Sequence, residues 1–201
     1  AALFCGGHFL YVNGLKKYKR YSNIGRKWIE NRSNKLFSND GCFSQYSVNY
    51  HRLVLDTYSF IESYRLINNL PRFSSNLYSK LIKATEWLEI LLDSNTGKVP
   101  NIGANDGSLL FPFFKKKYND YRPSVQWANL VFKNQKVGYF DNDDLIFFES
   151  INIISEGVKY KNVSFIDNKI ILGNNDGFFI FRKKKILLVF RRPVFKFRPS
   201  H

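Results

Sequence analysis

A chain of 201 residues that is 44% hydrophobic can bury a substantial core, which excludes a disordered protein and fits one domain or one domain with part of a second. Thirty-one Lys and Arg against sixteen Asp and Glu leave a formal net charge of +15, which favours encounter with polyanions such as nucleic acid, anionic lipid or acidic polysaccharide. The abundance of Lys, Asn, Ile, Phe and Tyr beside scarce Ala also follows from AT-rich coding drift, so charge alone names no partner.

The chain opens on Ala1-Ala2-Leu3-Phe4, inside an apolar run, and contains no Met. These features lead us to expect a fragment or processed piece. No apolar run approaches the roughly 20 residues that span a bilayer, and the start lacks the basic segment and small-residue cleavage site of a signal peptide. Cys5 and Cys42 have neither zinc-site nor disulfide-framework spacing and are expected to be buried thiols.

Ile24, Trp28 and Leu36 share a helical face, which predicts a helix over residues 22–37 with Ser22 or Asn23 at its start and Ser38-Asn39-Asp40-Gly41 as the turn that ends it. A long helix is predicted over 47–68, closed off by Pro71, and another over 74–92, stopped by Asp93-Ser94-Asn95-Thr96-Gly97. A polar loop through Asp106-Gly107 and an apolar run over 109–114 precede a helix over 124–132, with Pro123 in its first turn. These read as consecutive antiparallel helices. Near Tyr160 the pattern turns to strands: 163–166 and 169–172 flank the tight-turn pair Asp167-Asn168, and a second hairpin runs from 177–182 through three lysines to 186–191. Helices first and antiparallel strands after is the segregated order of an α+β chain, with a helical domain over 1–150 and a second domain beginning at 151–201.

Three polar clusters carry candidate chemistry. Residues 40–51, Asp40-Gly41-Cys42-Phe43-Ser44-Gln45-Tyr46-Ser47-Val48-Asn49-Tyr50-His51, gather amide, hydroxyl, phenol and imidazole groups where a turn enters a helix. Asn105-Asp106-Gly107 and Asp120-Tyr121-Arg122-Pro123 follow, and the chain ends at Arg198-Pro199-Ser200-His201. A helical His is more often a packed structural group, most of twelve tyrosines must be packing residues, and Asn105 is most simply a turn residue.

Residues 40–57 resemble the heparinase II/III-like proteins of the polysaccharide lyase superfamily, and the likeness extends to Val99-Pro100-Asn101-Ile102-Gly103-Ala104-Asn105-Asp106-Gly107, to 120–126 and to Phe197-Arg198-Pro199-Ser200-His201. Four blocks in order make the resemblance specific. It implies an incomplete α/α toroid followed by the first strands of a β-sandwich, a bacterial periplasmic or cell-envelope setting, and a uronate-containing acidic polysaccharide as partner, a glycosaminoglycan or an alginate-like polymer. The implied reaction is β-elimination, with little turnover expected from the piece alone.

Such a reaction needs the uronate carboxylate neutralised, a base for the adjacent proton and an acid for the leaving oxygen. A hydrolase would need a carboxylate pair, and Asp40, Asp106 and Asp120 all sit in turns. His51 is the first candidate for base or neutraliser, with Asn49 and Tyr50 beside it. One of Tyr118 and Tyr121 matches the catalytic tyrosine of the family, Tyr121 being preferred because Arg122 follows and offers a bidentate partner to a glycan carboxylate. Arg52 and Asn105 complete the expected binding surface. His201 matches the first residue of a His-x-Asp block that bears a catalytic or metal-binding histidine in the family, so no cofactor is expected in this piece and a zinc ion only in the remainder of the second domain. The rival readings are an inactive binder of acidic glycans and a nucleic-acid binder using the aromatics interleaved with basic residues over 178–197.

Overall fold

The computed structural model describes residues 1–112, 116–139, 159–161, 169–172, 177–183 and 185–191. The described residues form five α-helices and two small sheets, an α+β arrangement as the sequence implied. The helices are α1 (Ala2–Val12), α2 (Lys19–Leu36), α3 (Val48–Ile67), α4 (Ser75–Leu91) and α5 (Arg122–Lys133).

Three of these, α3, α4 and α5, follow the predicted spans to within a few residues because their ends carry strong local signals. Ser47 caps α3 by accepting from the Tyr50 amide at 3.1 Å, and Ser74 caps α4 by accepting from the Leu77 amide at 3.2 Å. Asp93 ends α4 by accepting from the amides of Asn95 and Thr96, both at 2.9 Å, and Gly97 completes that turn at φ 75°. Pro123 lies in the first turn of α5, and Asn134 closes it in the left-handed conformation at φ 50°.

The entry to α2 departs from expectation. Neither Ser22 nor Asn23 caps it, because the helix begins at Lys19, directly after a 3-10 turn over Lys16–Tyr18. The Ser22 hydroxyl instead donates to the Phe4 carbonyl at 3.1 Å and ties α2 to α1. Helix α1 has no counterpart in the sequence reading. It is apolar nearly all round and has no capping side chain, so neither periodicity nor a start signal marks it. Its packing needs glycine: a Cβ on Gly25 would stand 2.4 Å from the Phe4 nitrogen, and one on Gly7 would stand 2.6 Å from the Ser22 nitrogen.

The core lies among α3, α4 and α5. Leu55, Leu81, Leu88, Val125 and Ala128 are fully buried there, and each large aliphatic side chain contributes about 1.5–3 kcal/mol. Cys5 and Cys42 are both buried free thiols. The interior also holds a polar stripe on α3, with Asn49, Arg52, Asp56, Ser59 and Ser63 all buried.

Strands β1 (Gln135–Val137) and β2 (Lys159–Lys161) pair in parallel, which the sequence reading did not foresee. Strands β3 (Lys169–Leu172), β4 (Phe178–Lys183) and β5 (Ile186–Arg191) form an antiparallel meander, and β4–β5 is the expected second hairpin with Lys183 opposite Ile186. Alternate residues Phe178, Ile180 and Arg182 of β4 face inward. Phe178 meets Trp87 edge-on at 5.6 Å, and Arg182 donates to the Ile90 carbonyl at 2.6 Å, so the sheet seats on α4. The expected strand over 163–166, its Asp167-Asn168 turn and the 150/151 boundary lie outside the described residues. No helix among the described residues is long and apolar enough to cross a membrane.

Candidate functional site

The start of α3 meets the loop 98–108 and the segment 116–121, and two backbone ties fix the junction. The Val48 amide donates to the Ile102 carbonyl at 3.0 Å, and the Ser47 hydroxyl donates to the Ala104 carbonyl at 2.6 Å. At this junction lies a cavity of about 210 Å³ lined by Asn49, Lys98, Asn101, Asn105, Tyr118 and Tyr121, with Val48, Val99 and Pro100 as its apolar wall. The volume is below the roughly 300 Å³ at which pockets for drug-sized ligands begin, and it suits one ring-sized group.

Arg52 organises the groups behind this cavity. Its guanidinium is fully buried and donates to the Tyr118 carbonyl at 2.5 Å, the Asn49 amide oxygen at 2.8 Å and the Ser108 carbonyl at 3.0 Å. The same group lies 4.2 Å from the centre of the Tyr121 ring and 4.7 Å from that of Tyr118. Asn49, its oxygen held by Arg52, donates to Asp106 at 3.3 Å, and Tyr50 donates to the other oxygen of Asp106 at 3.2 Å. The hydroxyl of Tyr118 donates to Asn105, and Asn105 donates to Asn101 at 2.9 Å. Six of the eight candidates within the described residues, Asn49, Tyr50, Arg52, Asn105, Tyr118 and Tyr121, therefore belong to one connected cluster.

Two do not. His51 is fully buried on another face of α3, stacked on Trp87 at 4.7 Å and edge-on to Phe37 at 5.8 Å. Its Nε2 donates to the Ala84 carbonyl at 2.9 Å, and burial holds the imidazole down at about 4, so it is a neutral packing group that does not line the cavity. Arg122 turns to Asp120 at 2.6 Å and to the Asn95 carbonyl at 3.3 Å, so its fork is already taken within its own turn. His201 lies outside the described residues, and among them no three His, Cys, Asp or Glu side chains are grouped to hold a metal ion.

The electrostatics separate the phenols. Burial pushes the Tyr121 hydroxyl up to about 12, against the pull of Arg52, so it stays protonated and is suited to donate. A hydrogen bond to Asp106 raises Tyr50, while the Ser108 hydroxyl and amide hold Asp106 below the usual carboxylate range. Asp106 is ionised at neutral pH; among the described residues, Asp120 is engaged by Arg122, and buried Asp56 accepts from Ser124 at 3.1 Å.

The sequence reading set Asp106 aside as a turn carboxylate and did not single out Lys98. The Asn-Asp-Gly turn concealed a carboxylate that bridges two candidates, and Lys98 carries no sequence mark beyond its place between two loops. No protein-family model, curated protein or solved structure matches the chain.

Proposed function

We propose that the protein is a polysaccharide lyase that cleaves an acidic, uronate-containing glycan by β-elimination. The supporting observation is that Asn49, Tyr118 and Tyr121 line one cavity and are tied by Arg52 and Asp106 into the cluster that also holds Tyr50. Amides and phenols are the groups that elimination needs, whereas hydrolysis needs two free carboxylates flanking a scissile bond. On this reading Asn49 binds the uronate carboxylate, the Tyr50 oxygen takes the adjacent proton as its own passes to the Asp106 carboxylate it already meets, and Tyr121 protonates the leaving oxygen. The toroid and sandwich of the heparinase II/III-like architecture belong to the same proposal.

The enclosure of His51 favours a second reading, a glycan-binding protein without turnover, because the imidazole reaches no ligand. The two readings separate on one experiment. The protein is incubated with alginate and glycosaminoglycans while ultraviolet absorbance reports unsaturated product. Product formation that Asn49→Ala abolishes supports the lyase. Binding without product supports the inactive binder, and neither binding nor product overturns both.

A further inference from the structure

Outside the cavity, the most heavily charged element is α2. Residues 1–37 carry eight Lys and Arg side chains against a single carboxylate, Glu30. Glu30 is directed to the start of α4, accepting from the Ser74 amide at 2.7 Å and from the Ser74 hydroxyl at 2.5 Å, and its one charge leaves a net excess of seven cations.

The distribution of these charges is set by helical geometry. Gly25, Ile29 and Ser33 bury one side of α2, and the opposite side is exposed. Arg20 and Lys27 stand seven residues apart on that outer side, two turns or about 10.5 Å along the axis. Tyr21, Trp28 and Lys35 repeat the same spacing in a parallel row, with Tyr21 45% and Trp28 50% exposed. Arg32 lies over the Trp28 ring at 4.8 Å, which fixes its planar fork beside the row. The result is a ridge of cations and aromatic edges along an 18-residue helix.

We propose that this outer ridge of α2 is a second docking surface, separate from the cavity, that holds an extended anionic polysaccharide chain. Charge complementarity supplies the attraction, and the regular spacing of the cations suits a linear polymer with charges at regular intervals. A nucleic acid is less well matched, because single-strand binding relies on open aromatic faces and the Trp28 face is taken by Arg32. An anionic membrane is less well matched, because the exposed aliphatic and phenyl side chains Phe9, Val12 and Leu15 belong to α1 and the connection, and the ridge itself offers only Tyr21 and Trp28 for insertion. The choice of a glycan as the polymer rests on the proposed function; the existence of a polyanion-binding ridge does not.

The test uses the intact chain and three probes: alginate polymer, an alginate tetrasaccharide, and vesicles containing phosphatidylserine. A variant carrying Arg20→Glu, Lys27→Glu and Lys35→Glu changes only exposed side chains, and circular dichroism verifies its fold. It should bind polymer at least about tenfold more weakly at low salt, with a shallower salt dependence, while tetrasaccharide affinity stays unchanged. Asn49→Ala should do the reverse, weakening the tetrasaccharide first. If Asn49→Ala leaves the tetrasaccharide unaffected while the triple variant still loses polymer, the cavity reading fails and the ridge stands. Undiminished polymer binding by the triple variant overturns the ridge. Tighter binding of vesicles, or of single-stranded DNA, than of alginate through the same three residues overturns the glycan as its occupant.

Discussion

Arg52 holds Tyr118 twice, donating to its backbone carbonyl at 2.5 Å and lying 4.7 Å from the centre of its ring. One side chain on α3 therefore fixes both the path and the ring of a residue in another loop. Arg52→Ala would leave three buried or half-buried acceptors without a donor and should cost about 3 kcal/mol in urea unfolding. Arg52→Lys should recover less than half of that, because an ammonium cannot present a planar fork to three acceptors and two rings.

Stability should depend on pH through His51 and Asp56 in opposite directions. Burial lowers His51 from 6.5 to about 4, so the unfolded state binds a proton that the folded state refuses, and stability falls as pH drops from about 6.5 to about 4. Burial raises Asp56 from 3.8 to about 7, so the folded state keeps a proton longer, and its contribution is complete below 3.8 and is lost as pH rises through about 7. Each effect is on the order of 3 kcal/mol at full extent. Asp56→Asn should therefore gain stability relative to wild type between pH 5 and pH 9, and His51→Gln should flatten the acid limb. Unfolding curves at five pH values would show both, and parallel wild-type and variant profiles would contradict the assignments.

Catalytic and structural roles should separate at Tyr50. Among the described residues its hydroxyl bonds Asp106, at the open side of the cluster, so Tyr50→Phe should change stability by no more than about 0.5 kcal/mol. If the phenol takes part in proton transfer, elimination should slow by about 10²-fold or more while glycan affinity holds. Steady-state kinetics with an unfolding control distinguish the two effects.

Glu62 and Arg65 form a buried pair at 2.8 Å, to which Tyr78 also donates at 3.1 Å. Glu62→Ala should lower the melting temperature by about 10 °C, because it leaves a guanidinium buried without a counter-charge. Replacing both partners, Glu62→Leu with Arg65→Met, should restore most of the loss. Calorimetry on the single and double variants gives the comparison.

The sequence carried the helix ends well and the helix faces poorly. Ser47, Ser74, Pro123 and the Asp93 turn mark three helices, α3, α4 and α5, through local chemistry, which needs no knowledge of the neighbours. The site was assigned by adjacency along the chain, and adjacency misleads on a helix. His51 and Arg52 are consecutive yet about 100° apart around the axis, so one enters the Trp87 stack and the other the tyrosine cluster. The signal was present in the spacing of Asn49, Arg52 and Asp56 at i, i+3 and i+7, a polar row along one face of the helix. Helix α1 and the parallel pairing of β1 with β2 had no comparable signal. The first is apolar in every direction, and the second joins residues 24 positions apart, Gln135 with Lys159.

The absent side chains at Gly7 and Gly25 bring the backbones of α1 and α2 into direct contact, with no layer of flexible atoms between them to absorb a shift. Rotation or sliding of one helix on the other would drive main chain into main chain. The pair therefore moves as one stiff plank, and the orientation of the charged ridge on its outer side is governed by two residues that carry no functional group at all.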